Sequence, residues 1–384
     1  MVGYSYSIEI RRKKKLKSIK SWMKKESVLV IAIGLAVLSS FYQLPKASYI
    51  DVKVLILLFN LMLLVAAFKH YQVLDYFASL LLNSSKTIKH TGYLLIGLTF
   101  VASMFMTNDV ALITFVPLTL IIGQKLNKNV MKWVVFQTLA ANLGCAFTPM
   151  GNPQNLFIYS YFSLDLFSFL KVTVGITLGA CLFLGFLMCR ESKEAMNYEM
   201  LLPVVKDKSK VLGFTLLFLL VLASVVHIID YRVGGFMTIL YTVIVNRKLF
   251  KKVDYSLLFT FIGFFIFVGN LAAIPQIKLY LGNILSHQGA TYLGGVLSSQ
   301  LISNVPAAML IAPFTENWQE LLMGVNVGGM GTLIASMASL ISYKLYIETY
   351  QEEKRTYFKW FTIYNIIGLL IFTPMMGFVI KVIL

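Results

Sequence analysis

Apolar runs follow one another almost without pause from Val28 to Leu384, separated by short clusters of charged residues. A helix needs about 20 apolar residues to cross roughly 30 Å of hydrocarbon. By that measure the pattern predicts nine crossings, at 27–44, 52–69, 132–162, 165–189, 211–229, 232–246, 255–273, 319–346 and 358–383. Two further apolar segments, 92–123 and 290–315, are interrupted at their middles by TNDV (Thr107 to Val110) and SNVP (Ser303 to Pro306). These are expected to be re-entrant hairpins, entering and leaving on one side. The stretches 71–83 and 275–287, which precede the hairpins, are too short to cross and are expected along the interface.

Composition agrees: 58% of the 384 residues are apolar and 13% charged, against about 25% charged in soluble domains. The excess of 34 Lys and Arg over 17 Asp and Glu lies mostly in short loops, which points to membrane topology rather than to a nucleic-acid partner. With the amino terminus in the cytoplasm, 28 of those 34 fall inside; Lys46, Lys53, Lys171, Arg232, Lys278 and Lys381 remain outside. Were 92–123 an ordinary crossing, every later loop would change sides and the bias would shrink. The basic amino-terminal run ahead of VLVIAIGLAVL lacks a small-residue cleavage site and is expected to lead a retained first helix. Cys145, Cys181 and Cys189 show no paired spacing, so neither a disulfide framework nor a zinc site is expected.

The chain also matches itself. Ala141 to Phe162 aligns without gaps on Val325 to Tyr346, placing Asn142, Gly144, Thr148, Leu156 and Tyr159 over Asn326, Gly328, Thr332, Leu340 and Tyr343. Gly151, Asn152 and Asn155 fall over Ala335, Ser336 and Ser339. The hairpins align too: Thr107, Asn108, Ala111 and Pro117 over Ser303, Asn304, Ala307 and Pro313. Under the predicted topology the two halves are inverted. Inverted repeats with discontinuous helices are typical of secondary transporters whose site lies at the repeat interface near the midplane. The expected fold is an all-α polytopic membrane protein of two such repeats. Its expected divisions are a basic cytoplasmic segment 1–26, a first helix and loop 27–51, repeat 1 over 52–189, a cytoplasmic loop 190–210, and repeat 2 with the final helix over 211–384.

Gly144, Thr148, Pro149, Gly151 and Pro153 argue against a continuous helix in the first copy, as do Gly328, Gly329 and Gly331 in the second. A break frees carbonyls at one half-helix end, which suit a small cation such as sodium, and amides at the other, which attract anions. The expected substrate-binding residues are Thr107, Asn108, Asn152, Pro153, Ser303, Asn304, Thr332 and Ser336. The expected cation-binding residues are Asn108, Asp109, Gly144, Thr148, Gly151, Asn304, Gly328 and Ala335. Asn108 and Asn304 have a plainer alternative as helix caps. Asp109, a carboxylate at membrane depth, is either a cation or proton carrier or another cap. Its counterpart Val305 can be neither. His227, Asp230, Lys69 and His70 fit interface positions. No GxGxxG, P-loop or catalytic triad appears, and neither a continuous polar pore nor an intramembrane catalytic cluster is visible, which disfavours a pump, a channel or an enzyme.

At the hairpin tips the sequence resembles the ion transporter superfamily, which includes divalent-anion:sodium symporters, citrate permeases, arsenite efflux permeases and sodium/proton antiporters. The likeness spans roughly Val52 to Tyr346. Symporters of the divalent-anion branch carry an SNT triplet at each tip, binding sodium and substrate carboxylate. Here the triplets are Thr107, Asn108, Asp109 and Ser303, Asn304, Val305: the Asn is kept and the closing Thr is lost twice. NDVAL (Asn108 to Leu112), SNVP and GTLIASMASLI (Gly331 to Ile341) resemble the arsenite-permease branch, whereas TPMGNPQN (Thr148 to Asn155) resembles the general anion and citrate permease pattern. The resemblance implies an integral protein of the plasma (inner) membrane, a homodimer paired through the remaining spans, and an elevator-like movement of the hairpin-bearing part. The expected function is cation-coupled transport, by sodium or proton, of a small anion such as a carboxylate or inorganic oxyanion, with no other cofactor. The alternative is arsenite or antimonite efflux, or sodium/proton antiport.

Overall fold

The structure, a computed structural model, describes residues 26–189, 191, 194–195 and 202–383. The basic segment up to residue 25 and residues 190, 192–193 and 196–201 of the 190–210 loop lie outside the described residues. The chain begins with α1 (Ser27–Ser40), α2 (Val52–His70) and the short α3 (Val73–Leu82). The first hairpin is α4 (Ile88–Phe105) and α5 (Asn108–Lys125); the first broken helix is α6 (Met131–Gly144) and α7 (Pro153–Tyr161). Next come α8 (Leu166–Met188), α9 (Lys208–Val225), α10 (Tyr231–Val245), α11 (Tyr255–Ala272) and the short α12 (Pro275–Leu285). The second hairpin is α13 (Ala290–Ile302) and α14 (Asn304–Ile311), the second broken helix α15 (Trp318–Gly328) and α16 (Met337–Thr349), followed by α17 (Lys354–Ile383).

The protein is thus an all-α polytopic membrane protein, with the elements that the apolar pattern predicts and boundaries shifted by a few residues. α4 starts at Ile88 rather than 92 because Thr87 caps it, its hydroxyl accepting from the His90 amide at 3.2 Å. Asp165 and Asp230 cap α8 and α10 in the same way, accepting from Ser168 N at 2.9 Å and Arg232 N at 2.7 Å. Six described helices are long and apolar enough to cross a bilayer: α2, α4, α8, α9, α11 and the stretch Gln351–Val382 that contains α17. Leu178, Leu182 and Phe186 on α8 and Leu212, Leu216 and Leu219 on α9 are exposed, as side chains facing lipid are.

The chain divides into two compact units. The first joins the described residues 26–51 with 254–278. In it α11 packs on α1: Gly263 approaches the Ala32 backbone so closely that a Cβ would lie 3.0 Å from the Ala32 carbonyl carbon. Asn270 closes the contact with an amide donated to Ser39 Oγ at 3.0 Å. The second unit, formed by the described residues within 52–253 and 279–383, holds both hairpins and both broken helices.

Candidate functional site

Within the larger unit, each hairpin packs against the first part of a broken helix, and the contact is close because that part ends in glycine. A Cβ on Gly144 would strike the Phe100 carbonyl oxygen and lie 2.6 Å from Ser103 Oγ. A Cβ on Gly328 would lie 2.7 Å from Ser299 Oγ and 3.0 Å from Val296 Cα. The first chain then unwinds until Asn152, whose side chain accepts from the Asn155 amide at 2.8 Å, caps α7, with Pro153 at the helix start. In the second break Gly331 takes φ +103°, which an L side chain rarely adopts, before Ser336 leads into α16.

The contacts repeat residue for residue. Asn108 N donates to Gly151 O at 3.2 Å, and Asn304 N donates to Ala335 O at 3.0 Å. Each tip therefore sits at the level of a break. Thr148 Oγ1 donates to Met104 O, and Thr332 Oγ1 donates to Gln300 O. The return helix of each hairpin packs across the chain halves: α5 against α16, and α14 against α7.

Between the breaks lies a buried network of amides and hydroxyls centred on Asn142 and Asn326, 3% and 1% exposed. Asn142 Oδ1 accepts from Ser336 Oγ at 2.9 Å and from Asn108 Nδ2 at 3.1 Å, while its amide donates to Ser339 Oγ at 3.2 Å and Gly329 O at 3.3 Å. Asn326 Oδ1 accepts from Asn152 Nδ2 at 3.1 Å, and its amide donates to Asn155 Oδ1 at 2.7 Å. Each central Asn thus reaches the cap and the third helical residue of the opposite half. Buried polar groups are tolerated at such depth when the network satisfies them.

The structure brings Asn108, Asn152, Ser336, Asn304 and the Gly151 and Ala335 carbonyls together around this network. Ser303 joins them, held at φ +75° and ψ 153°, a backbone region nearly confined to glycine. Its counterpart Thr107 sits at φ −52° and is half-buried. Thr332 is exposed within the second break and bonds to Gln300 rather than to the network. Asp109 is half-buried in the first turn of α5, and its amide donates to Asn108 Oδ1 at 3.0 Å. Among the described residues no cluster of His, Cys, Asp or Glu can hold a metal.

Asn142, Asn326, Asn155 and Ser339 are absent from the residues nominated on sequence, although the self-alignment already pairs them. Gln300 is absent too, and nothing local marks it. A further buried carboxylate, Glu320, is 1% exposed and accepts from Gly289 N at 2.9 Å and Tyr292 N at 3.2 Å, so it closes the start of α13. Distant from the tips, Lys53 Nζ lies 2.7 Å from His227 Nε2, and the His227 ring stacks on Tyr159 at 5.1 Å.

Known proteins share this arrangement of sequence. An uncharacterized transporter of Methanocaldococcus jannaschii is 32% identical over 83% of this chain and 88% of its own length. The inner membrane protein YbiR of Escherichia coli is 28% identical over 93% of this chain and 95% of its own. Among solved structures, the Alcanivorax borkumensis YdaH transporter is similar with a TM-score of 0.49 and 14% identity, over 91% of this chain and 96% of that one. The model of the citrate transporter family matches residues 19–338, from ahead of α1 to just past the second break. Because that match takes in both hairpin tips and both breaks, the chain belongs to the citrate transporter family of membrane transporters.

Proposed function

We propose that this transporter is a secondary permease that moves a small anion, a carboxylate or an inorganic oxyanion, coupled to a cation gradient. The observation that carries the proposal is the meeting of four helix amino termini, those of α5, α7, α14 and α16, around one buried amide and hydroxyl network. Helix amino termini present free donors and the positive end of the dipole, so they favour an anion without a Lys or Arg at the tips. Thr107, Asn108, Asn152, Pro153, Ser303, Asn304 and Ser336 are the residues positioned to contact it; Thr332 contributes by holding the second break. The two halves are inverted with respect to the bilayer, the hairpins are re-entrant, and the amino terminus lies in the cytoplasm of a plasma membrane. A second copy of the chain pairs with the first through the spans that carry neither hairpin nor break.

Asp109 is the group in this site that can neutralise or carry a coupling cation, at Asn108 and the first break. Uptake into proteoliposomes over a panel of carboxylates and oxyanions, with a sodium or a proton gradient, tests the reading. Accumulation of one anion under one gradient is expected, and no uptake of any anion under either would refute it. Asp109→Asn is expected to transport with its cation coupling lost; coupling equal to the parent removes Asp109 from the role. A second reading, arsenite or antimonite efflux or sodium/proton antiport, is favoured by the same carboxylate. Growth of a sensitive host on arsenite or at high sodium separates it from the first.

A further inference from the structure

Away from the hairpin tips, α9 and α10 pack on each other and leave a groove of about 420 Å³ between them. Leu216, Leu220, Met237, Leu240 and Ile244 line it, and all but Leu220 are exposed. Tyr241 bridges the two helices at the level of the groove. Gly213 makes room for it, since a Cβ there would strike the Tyr241 ring and hydroxyl. The ring stands edge-on to Phe214 at 5.0 Å, and its hydroxyl donates to Lys210 O at 3.4 Å. From Met237 to Ile244 the groove covers about 10 Å of helix, which fits within the about 15 Å of hydrocarbon in one leaflet.

The groove is apolar along its length and cationic at one end. Arg247 lies about one turn beyond Ile244, and the bond from Tyr241 to Lys210 brings the start of α9, with Lys208, to the same end. A turn of 3₁₀ helix, Arg247–Lys252, carries the charge and is held in place: Leu249 is buried, Phe250 stacks on Phe59 of α2 at 6.2 Å, and the Lys248 amide donates to Asn246 Oδ1 at 3.2 Å. Arg247 Nε donates to Val243 O at 3.0 Å, which turns the guanidinium back along α10 toward the membrane. Among the described residues Lys208, Arg247 and Lys248 form no ion pair, while the neighbouring Asp207 is already held by Lys210 at 2.9 Å. A guanidinium fork flanked by two ammonium groups matches a phosphate. A second copy seated on this face about a twofold axis would instead set these cations opposite their own copies, because such an interface buries the same patch on both chains.

We propose that the groove between α9 and α10 is a binding site for one anionic phospholipid, with an acyl chain along Leu216, Leu240 and Ile244 and the phosphate at Arg247, Lys248 and Lys208. The site is separate from the hairpin tips and the breaks, and it stands whichever solute the transporter carries. A zwitterionic lipid offers the same chains, but its headgroup adds a cation that these side chains repel. Selection is therefore by headgroup charge. Two cations at the membrane surface are worth roughly a 30-fold change in affinity for an anionic lipid.

The test uses purified full-length protein in detergent, titrated with dioleoylphosphatidylglycerol or with dioleoylphosphatidylcholine, which share acyl chains and differ in charge. Thermal unfolding is followed for the parent and three variants. Arg247→Gln with Lys248→Gln removes the phosphate contacts, and Leu240→Trp fills the groove. Lys354→Gln with Lys359→Gln removes the same charge from exposed positions on α17. At about 100 times its dissociation constant the anionic lipid should raise the parent's midpoint several degrees beyond the zwitterionic one. A site weakened roughly 30-fold keeps about a third of that shift, which is the expectation for the Arg247 and Lys248 variant. Leu240→Trp should lose at least as much, and the Lys354 and Lys359 variant should match the parent. Equal shifts with both lipids in the parent, equal losses in the two charge variants, or a parent-like shift in Leu240→Trp would each overturn the proposal. A shift with glycerol phosphate alone overturns it too, because the chain then contributes nothing. Light scattering tests the second copy: a mass halved in Leu240→Trp whatever the lipid assigns the groove to another chain and overturns the proposal. If the variants do not fold, mass spectrometry of the parent from an equal mixture of the two lipids decides it: preferential retention of one phosphatidylglycerol supports the site, and equal retention overturns it.

Discussion

Gly144→Ala and Gly328→Ala test whether the two halves are built on the same close contact. At Gly144 the added methyl would enter the space of the Phe100 carbonyl oxygen and lie 2.6 Å from Ser103 Oγ and 3.0 Å from Phe100 Cδ2. Carbon and carbonyl oxygen ordinarily approach to about 3.3 Å, so α4 would have to retreat by roughly 1 Å. A side chain could turn aside, but a helix carbonyl cannot, which places the cost at the upper end of the about 1–3 kcal/mol typical of overpacking. At Gly328 the obstacles are Ser299 Cβ and Oγ, both at 2.7 Å, and Val296 Cα at 3.0 Å, again backbone or the root of a side chain. The control is Gly97 on α4, where a Cβ meets nothing within 4 Å. There Ala is expected to stabilise, by up to about 1 kcal/mol, through helix propensity. Thermal unfolding in detergent should place Gly144→Ala and Gly328→Ala roughly 5 °C below the parent and Gly97→Ala at or above it. Both glycine variants unfolding with the parent, or Gly97→Ala falling as far as they do, would refute the reasoning.

Asn326→Leu removes the donor to Asn155 Oδ1, leaving that buried oxygen unpaired at about 1–3 kcal/mol, and leaves Asn152 Nδ2 with Cys145 Sγ, at 3.0 Å, as its remaining acceptor. Its unfolding midpoint should fall further than that of either glycine variant, and parent-like stability would count against the network. Glu320→Gln keeps one acceptor where two amides, Gly289 N and Tyr292 N, now need one each. A loss of about 1–2 kcal/mol is expected, and a variant as stable as the parent would remove Glu320 from that capping role. His227 sits in the loop after α9, where burial first and the Lys53 charge second push its pKa below the usual value. A depressed histidine pKa means that the unfolded chain binds the proton more readily, so this stability is complete above about pH 6.5 and is lost as pH falls toward the folded value. His227→Gln, which keeps an acceptor for Lys53 without titrating, should show a flatter midpoint between about pH 8 and pH 5; identical slopes would refute the assignment.

The helices, the hairpin tips and the positions of both breaks are legible in the sequence because their causes are local. Apolar runs of spanning length form helices in lipid whatever their neighbours, and Gly, Pro and Asn at Gly144 to Pro153 and Gly328 to Ser336 interrupt them by their own backbone preferences. Matching those interruptions against each other also pairs Asn142 with Asn326 before any contact is known. What the tertiary structure decides is which oxygen each amide meets. Asn142 finds Ser336 and Ser339, and Asn326 finds Asn152 and Asn155, across separations of 194, 197, 174 and 171 residues. Gln300 lies in an ordinary-looking helix, and only its distance from Gly328 O and Met330 O shows that it fills a break. The pairing of α11 with α1 and the burial of Glu320 are of the same kind. Hydropathy and backbone preference act over a turn or two of helix, whereas a buried amide chooses its partners only after the helices have packed, when water is gone and the nearest unpaired group is set by the fold.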